Sequence, residues 1–186
     1  MRFRIHPIQP GDWPQTRDIR LRMTKDTPLA YLETYETALD QGEDEWRFRA
    51  ARNSRPGNTG YAAVLESTGE WVGCMHAYVP PADPGAAPDR AWLVGVWVDP
   101  GHRGTAAGVT DALLDACVAW ARDTAGVPEL YLEVHEDNPR AIRFYERRGF
   151  VRTGGTRPYP LDESADELEM KLTLGAGAAQ RSPESA

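Results

Sequence analysis

The chain opens with Phe3, Ile5 and Ile8 alternating with polar neighbours, the period of a half-buried strand, which Pro7 and Pro10 bring to an end. A helix is expected next. Asp12 stands as its N-cap, Trp13 and Pro14 open the first turn, and Ile19, Leu21 and Met23 carry the apolar positions to about Lys25. Thr27 and Pro28 restart the chain. Residues 29–39 and 43–51 then read as two more helices, with Tyr31, Leu32, Tyr35, Leu39, Trp46 and Phe48 available for an inner face. Turn chemistry at Arg55, Pro56, Gly57 and Asn58 introduces an antiparallel hairpin, residues 61–66 and 71–79, around Ser67-Thr68-Gly69-Glu70. Residues 80–88, rich in proline, alanine and glycine, read as a surface loop.

The run from Trp92 to Val98 is apolar and rich in valine, the composition of a strand buried on both faces. Asp99-Pro100-Gly101 stops it. Val109, Leu113, Leu114, Cys117 and Val118 then recur at helical spacing, so a helix is expected from about Gly104 to Thr124, ended by Gly126 and Pro128. Residues 129–135 form the next expected strand, with Tyr131, Glu133 and His135 on one face and Leu132 and Val134 on the other. Asn138 caps a short helix with Pro139 at its first position, and Arg148-Gly149 closes it. Residues 150–153 and 167–174 are final strands, and residues 175–186 read as a flexible tail. Strands interleaved with helices, and no internal repeat, predict one α/β domain over residues 1–174: a mixed sheet flanked by helices.

Composition narrows the function. The 186 residues suit one domain with a real core, and the formal net charge of −7 argues against nucleic acid, whose phosphates call for a basic face. An acidic balance suits a cationic acceptor, and it equally serves solubility. Asp26, Glu33, Glu36, Asp40, Glu43, Asp44 and Glu45 concentrate that charge on the helical pair. Cys74 and Cys117 lie in apolar runs and read as small buried hydrophobes rather than a disulfide framework. There is no long apolar segment and no signal-peptide pattern at the start, so neither membrane nor metal is called for, and a cytoplasmic location is expected.

The chemistry concentrates after the central strand. Gly104, Thr105, Ala106, Ala107 and Gly108 place small residues at the expected helix start, where unshielded main-chain N–H groups and the helix dipole favour an anion, with Arg103 alongside. A tight strand-to-helix connection would explain the same residues. There is no P-loop Lys-Ser/Thr pair and no dinucleotide fingerprint.

The spacing V-x-P-x-x-R-G-x-A-x-G resembles the acetyl-CoA-binding motif of the GNAT superfamily of N-acetyltransferases, whose core is R/Q-x-x-G-x-G/A; Arg103, Ala106 and Gly108 hold those positions. Ala106 departs from the usual glycine. Leu132 to Phe150 resembles a later family motif, L-x-V-x-x-x-N-x-x-A-x-x-F-Y-x-x-x-G-F, at every fixed position. The resemblance implies a GNAT-like fold and acetyl transfer from acetyl-CoA to an amine. It implies that main-chain groups of Val96, Trp97 and Val98 pair with the pantetheine arm, that residues from Arg103 to Gly108 take the pyrophosphate, and that Asn138 contacts the cofactor. It further implies Tyr145 as the general acid. Glu133, in an L-E-V setting similar to the ribosomal-protein N-terminal acetyltransferases, is the expected base, with His135 or water in reserve and pairing to a surface arginine as its structural alternative. The acceptor is then a peptide N-terminus or a cationic small molecule. A catalytically weak acyl-CoA-binding module is the rival, and a homodimer is left open.

Overall fold

The structure is a computed structural model; it describes residues 2–28, 31–81, 85–104 and 106–175, with no account of the Glu163 side chain. Its frame is a seven-stranded sheet in the order β1-β2-β3-β4-β5-β7-β6, with β1 at Phe3–Pro7, β2 at Asn58–Leu65, β3 at Trp71–Tyr78, β4 at Arg90–Val98, β5 at Glu129–His135, β6 at Val151–Tyr159 and β7 at Asp162–Thr173. Only β4 and β5 run parallel; every other neighbouring pair is antiparallel.

The helices cover both faces, because strand alternation sends apolar side chains each way. On one face α4 (Val109–Ala119) and α5 (Pro139–Arg147) seat Leu113, Leu114, Cys117, Ile142 and Tyr145 against Met75, Leu130 and Leu132. On the other, α1 (Trp13–Asp26) packs Ile19 and Met23 on Ala62, Val64, Cys74 and Trp97. α3 (Glu43–Arg52) and the short α2 (Tyr35–Leu39) lean on α1.

Several elements depart from the sequence pattern. Residues 31–33 are not helical: Leu32 has φ +51° and Thr34 begins α2 by accepting a hydrogen bond from Thr37 N–H, while Leu29 and Ala30 lie outside the described residues. Asp12 holds the N-cap position of α1 without capping it; its carboxylate takes the Gln9 N–H at 2.8 Å and the His6 ring at 2.7 Å instead. α4 starts at Val109, after the glycine-rich stretch, because Gly108 at φ +68° cannot continue a right-handed helix backwards. Past Ala119 it widens into a π turn at Trp120–Thr124, with Ala125 N–H bonded to Trp120 O, before Gly126 at φ +67° releases the chain. β6 and β7 outrun the expected strands since β6 is an edge strand exposed from Val151 to Pro158, where no apolar alternation is required.

Candidate active site

β4 was expected to be buried on both faces, and in the middle it is not: Val94 is exposed and Gly95 and Val96 are half-buried. The cause is a bulge. Cys74 pairs with Trp97 and His76 with Val94, so one intervening residue on β3 faces two on β4, and Gly95 absorbs the mismatch at φ +60°. The bulge bends β4 away from β5. Their ladder comprises only Arg90↔Glu129, Ala91↔Leu130 and Trp92↔Tyr131, so Val94 to Val98 and Leu132 to His135 diverge.

A cavity of roughly 870 Å³ opens over this region. Its floor includes His76, Val94 and Gly95, its walls include Tyr31 and Arg52, and Glu133, Glu167 and Arg157 line the β5–β7 side. The Tyr31 hydroxyl donates to Val96 O at 3.0 Å, which pins the chain after α1 across β4. Glu33 sits behind it, its carboxylate accepting from Arg20 Nε at 2.7 Å and from both Arg49 terminal nitrogens at 2.9 Å. Burial works against that charge, yet the Arg49 and Arg20 bonds hold its carboxyl below the ordinary range. His76 is bonded to the Gly95 main chain, and burial with the nearby Arg52 and Arg20 lowers it to about 4, so the ring is neutral at pH 7.

Of the two readings of Glu133, pairing with an arginine is what the structure shows, and the residue also borders the cavity. Its partner is Arg157, which also bonds Glu167 at 3.2 Å. Burial, then Glu167 and Glu169, raise its pKa against the pull of Arg157. Tyr145 is 6% exposed, with its ring edge-on to Phe144 and Phe150, and burial raises its phenol above the ordinary value. His135 takes the Asp137 N–H on Nδ1 at 3.1 Å and packs on Tyr159, so it serves the turn into α5. Asn138 Oδ1 caps α5 through Ala141 N–H at 3.1 Å, as the sequence predicts.

The glycine-rich stretch is a loop rather than a helical turn. Ala107 N–H bonds Gly104 O, Ala106 is exposed, and Thr105 lies outside the described residues. Gly108 offers no capping side chain, leaving the first N–H groups of α4 unclaimed by one. Arg103 donates Nε to Val98 O at 2.7 Å and pairs with Asp26, whose carboxylate also takes Trp97 Nε1–H at 2.9 Å. Its guanidinium therefore ties the loop to the end of β4 and the end of α1. Trp97 and Val98 are buried, so what they offer a ligand is main chain.

Gly95, His76, Arg52 and Arg157 were not singled out from sequence. A lone glycine between valines was the available sign of the bulge. Nothing local marks the other three.

A family model described as Acetyltransferase (GNAT) family matches residues 20–150. Comparison with curated proteins returned no match. Among solved structures, the acetyltransferase of GNAT family from Streptococcus pneumoniae superposes with a TM-score of 0.77 at 19% identity, over 94% of this chain and all (100%) of that one. The yncA protein of Salmonella typhimurium, solved with its cofactor acetyl-CoA, gives 0.74 at 18% identity over 100% of both chains. The ribosomal-protein-alanine N-acetyltransferase from Brucella melitensis gives 0.73 at 21%, over 92% of this chain and 99% of that one. At these identities the likeness is one of fold.

Proposed function

Since this chain belongs to the GNAT acetyltransferase family, we propose that it transfers the acetyl group of acetyl-CoA to a primary amine by direct attack on the thioester. The observation that carries this reading is the parting of β4 from β5 beyond Trp92↔Tyr131, which leaves one strand edge unpaired beside an uncapped helix start and below a large cavity. An extended pantetheine arm fits such an edge as an added strand on the main chain of Val96, Trp97 and Val98. Val96 O already accepts from Tyr31, and a carbonyl with two lone pairs has room for a second donor. The stretch Arg103, Gly104, Thr105, Ala106, Ala107 and Gly108, with the first N–H groups of α4, suits the pyrophosphate. Gly104 and Gly108 hold positive φ with open space around them, so main chain rather than side chain meets the ligand there. Asn138 at the start of α5 would lie along the same groove.

Acetyl-CoA supplies an activated acyl group and a thiolate leaving group. The protein's residues must hold the thioester, take a proton from the amine and stabilise the departing sulfur. The amine nitrogen bonds to the carbonyl carbon as the carbon–sulfur bond breaks. Glu133, on the cavity wall with a raised pKa, accepts the amine proton through water. Tyr145, fully protonated at neutral pH, donates a hydrogen bond to the sulfur as charge builds; its raised pKa makes it a stabiliser of thiolate more than a strong acid.

Free-thiol release from acetyl-CoA with a panel of amines tests this. Wild type releases thiol with at least one amine. Tyr145→Phe lowers turnover at least about tenfold with little change in acetyl-CoA affinity, and Glu133→Gln removes the acidic limb of the pH–rate profile. Wild-type turnover in Tyr145→Phe reduces that tyrosine to packing, and an intact acidic limb in Glu133→Gln moves the base to water or His135.

A further inference from the structure

Only two carboxylates of the acidic helical wall, Glu33 and Glu45, line the cavity, and both are spent on arginines: Glu33 on Arg20 and Arg49, Glu45 on Arg49 at 2.7 Å. Asp26 is committed to Arg103 and Glu43 to Arg47. The charge that suggested a cationic acceptor is thus neutralised or faces away from the cleft.

What remains is arranged as a dipole. Arg52, at the end of α3, lines the cavity and, among the described residues, has no carboxylate within ion-pair distance. Burial, then the like charges of Arg49 and Arg20, lower its pKa against a weaker pull from Glu45, which is itself bonded to Arg49. Across the cavity the imbalance reverses: among the described residues, Glu133 and Glu167 share one ion-pair partner, Arg157. Arg52 faces His76 on β3, Glu133 stands on β5 and Glu167 on β7, so β4 and its bulge lie between the two poles.

We propose that the acceptor is a zwitterion, a small amine bearing a carboxylate or comparable anion, whose anionic group is held by Arg52 and whose nitrogen is drawn to the Glu133–Glu167 side. This rests on the acetyl-transfer reading and assigns the substrate class of the same site. Beyond Trp92↔Tyr131 β4 diverges from β5, so Arg52 and the Glu133–Glu167 pair line one open cavity from different sides, with room between them for a small zwitterion. A planar guanidinium binds a carboxylate through two parallel hydrogen bonds, which a lysine could not copy. The neutral His76 ring beside it adds hydrogen-bonding capacity without a competing charge.

The test measures thiol release from acetyl-CoA with free L-amino acids, the carboxamide and decarboxylated amine of each, polyamines, and short peptides amidated at the C-terminus. The expected result is a kcat/KM at least about tenfold higher for carboxylate-bearing amines than for their matched carboxamides, as one charge-assisted bidentate contact implies. In Arg52→Gln that ratio collapses towards one, through the acceptor KM rather than the acetyl-CoA KM, and Arg52→Lys recovers only part of it. Equal rates for carboxylates and carboxamides, a preference for polyamines or for amidated peptides, or an unchanged ratio in Arg52→Gln overturns the proposal while leaving acetyl transfer standing. Acetyl-CoA binding without thiol release from any of these amines overturns both.

Discussion

His76 shows what one side chain reveals when its surroundings are known. In the sequence it is a polar residue in an apolar strand; in the structure it sits under the bulge, bonded to Gly95, with its pKa brought down from 6.5 to about 4. A group whose protonation is disfavoured in the folded state makes the unfolded chain bind more protons between those two values, so stability present at pH 7 is lost as pH falls from about 6.5 to about 4. Between pH 7 and pH 5 the loss is about 1–2 kcal/mol, the lower end allowing for the ring's partial exposure to the cavity. Urea unfolding at the two pH values reads it, and His76→Gln is expected to flatten the dependence by that amount. An equally steep loss in the variant would assign the pH sensitivity to the carboxylates instead. Cys74, on the same strand, is pushed up to about 12 by complete burial and so stays an unreactive thiol, in line with the reading of both cysteines as packing residues.

β4 turns on its glycine. A strand with all its hydrogen bonds to β3 in register would continue alongside β5 and close the groove; the extra residue at the bulge prevents this. Gly95 holds φ +60°, and a Cβ built there comes within 3.0 Å of His76 Nδ1, so Gly95→Ala pays backbone strain of about 1–2 kcal/mol and also presses on the histidine. We expect a lower thermal midpoint together with a weakened acetyl-CoA affinity out of proportion to the stability lost, measured by melting and by titration calorimetry. An unchanged affinity in a folded Gly95→Ala would show that the divergence of β4 does not depend on the bulge. The loop before α4 carries a related lesson. Because Ala106 precedes the helix, replacing it with glycine forfeits no helix propensity, so the only question at that position is room for the ligand.

For the molecule as a whole, the sheet is built as two halves, β1 to β4 and β5 to β7, joined at the centre by three residue pairs and clamped by helices on either face. Arg148 of the segment closing α5 reaches Asp111 and Asp115 of α4, and Arg103 joins the loop to α1, so the groove is framed by contacts between elements far apart in sequence. A ligand bridging the halves should stabilise the whole domain. At one hundred times its dissociation constant, acetyl-CoA contributes about 2.7 kcal/mol, which for a chain of this length raises the melting midpoint by roughly 5–10 °C. Arg103→Glu is expected to reduce that rise and to lower the unliganded midpoint as well, since the substitution sets a carboxylate against Asp26. No shift for wild type at millimolar acetyl-CoA would remove the cofactor site from this loop.

Periodicity together with proline and glycine signals placed β1, α1, α3, the β2–β3 hairpin, the end of β4, β5 and α5 within a residue or a few of their observed bounds: Pro14 and Pro139 mark helix starts and Asp99-Pro100-Gly101 ends β4. Two spaced motifs carried the family, which the family match over residues 20–150 bears out. What periodicity could not supply was any consequence of pairing between distant segments. The bulge is a count of residues on two strands at once, the short β4–β5 ladder follows from it, and the cleft's charge depends on which carboxylates each arginine meets after folding. Seven acidic residues in a row of helices look like a negative wall in one dimension; in three, arginines from α1 and α3 cancel the two that reach the cavity and leave Arg52 over. Ion pairing is decided by distance in space, and distance in space is what the tertiary structure adds.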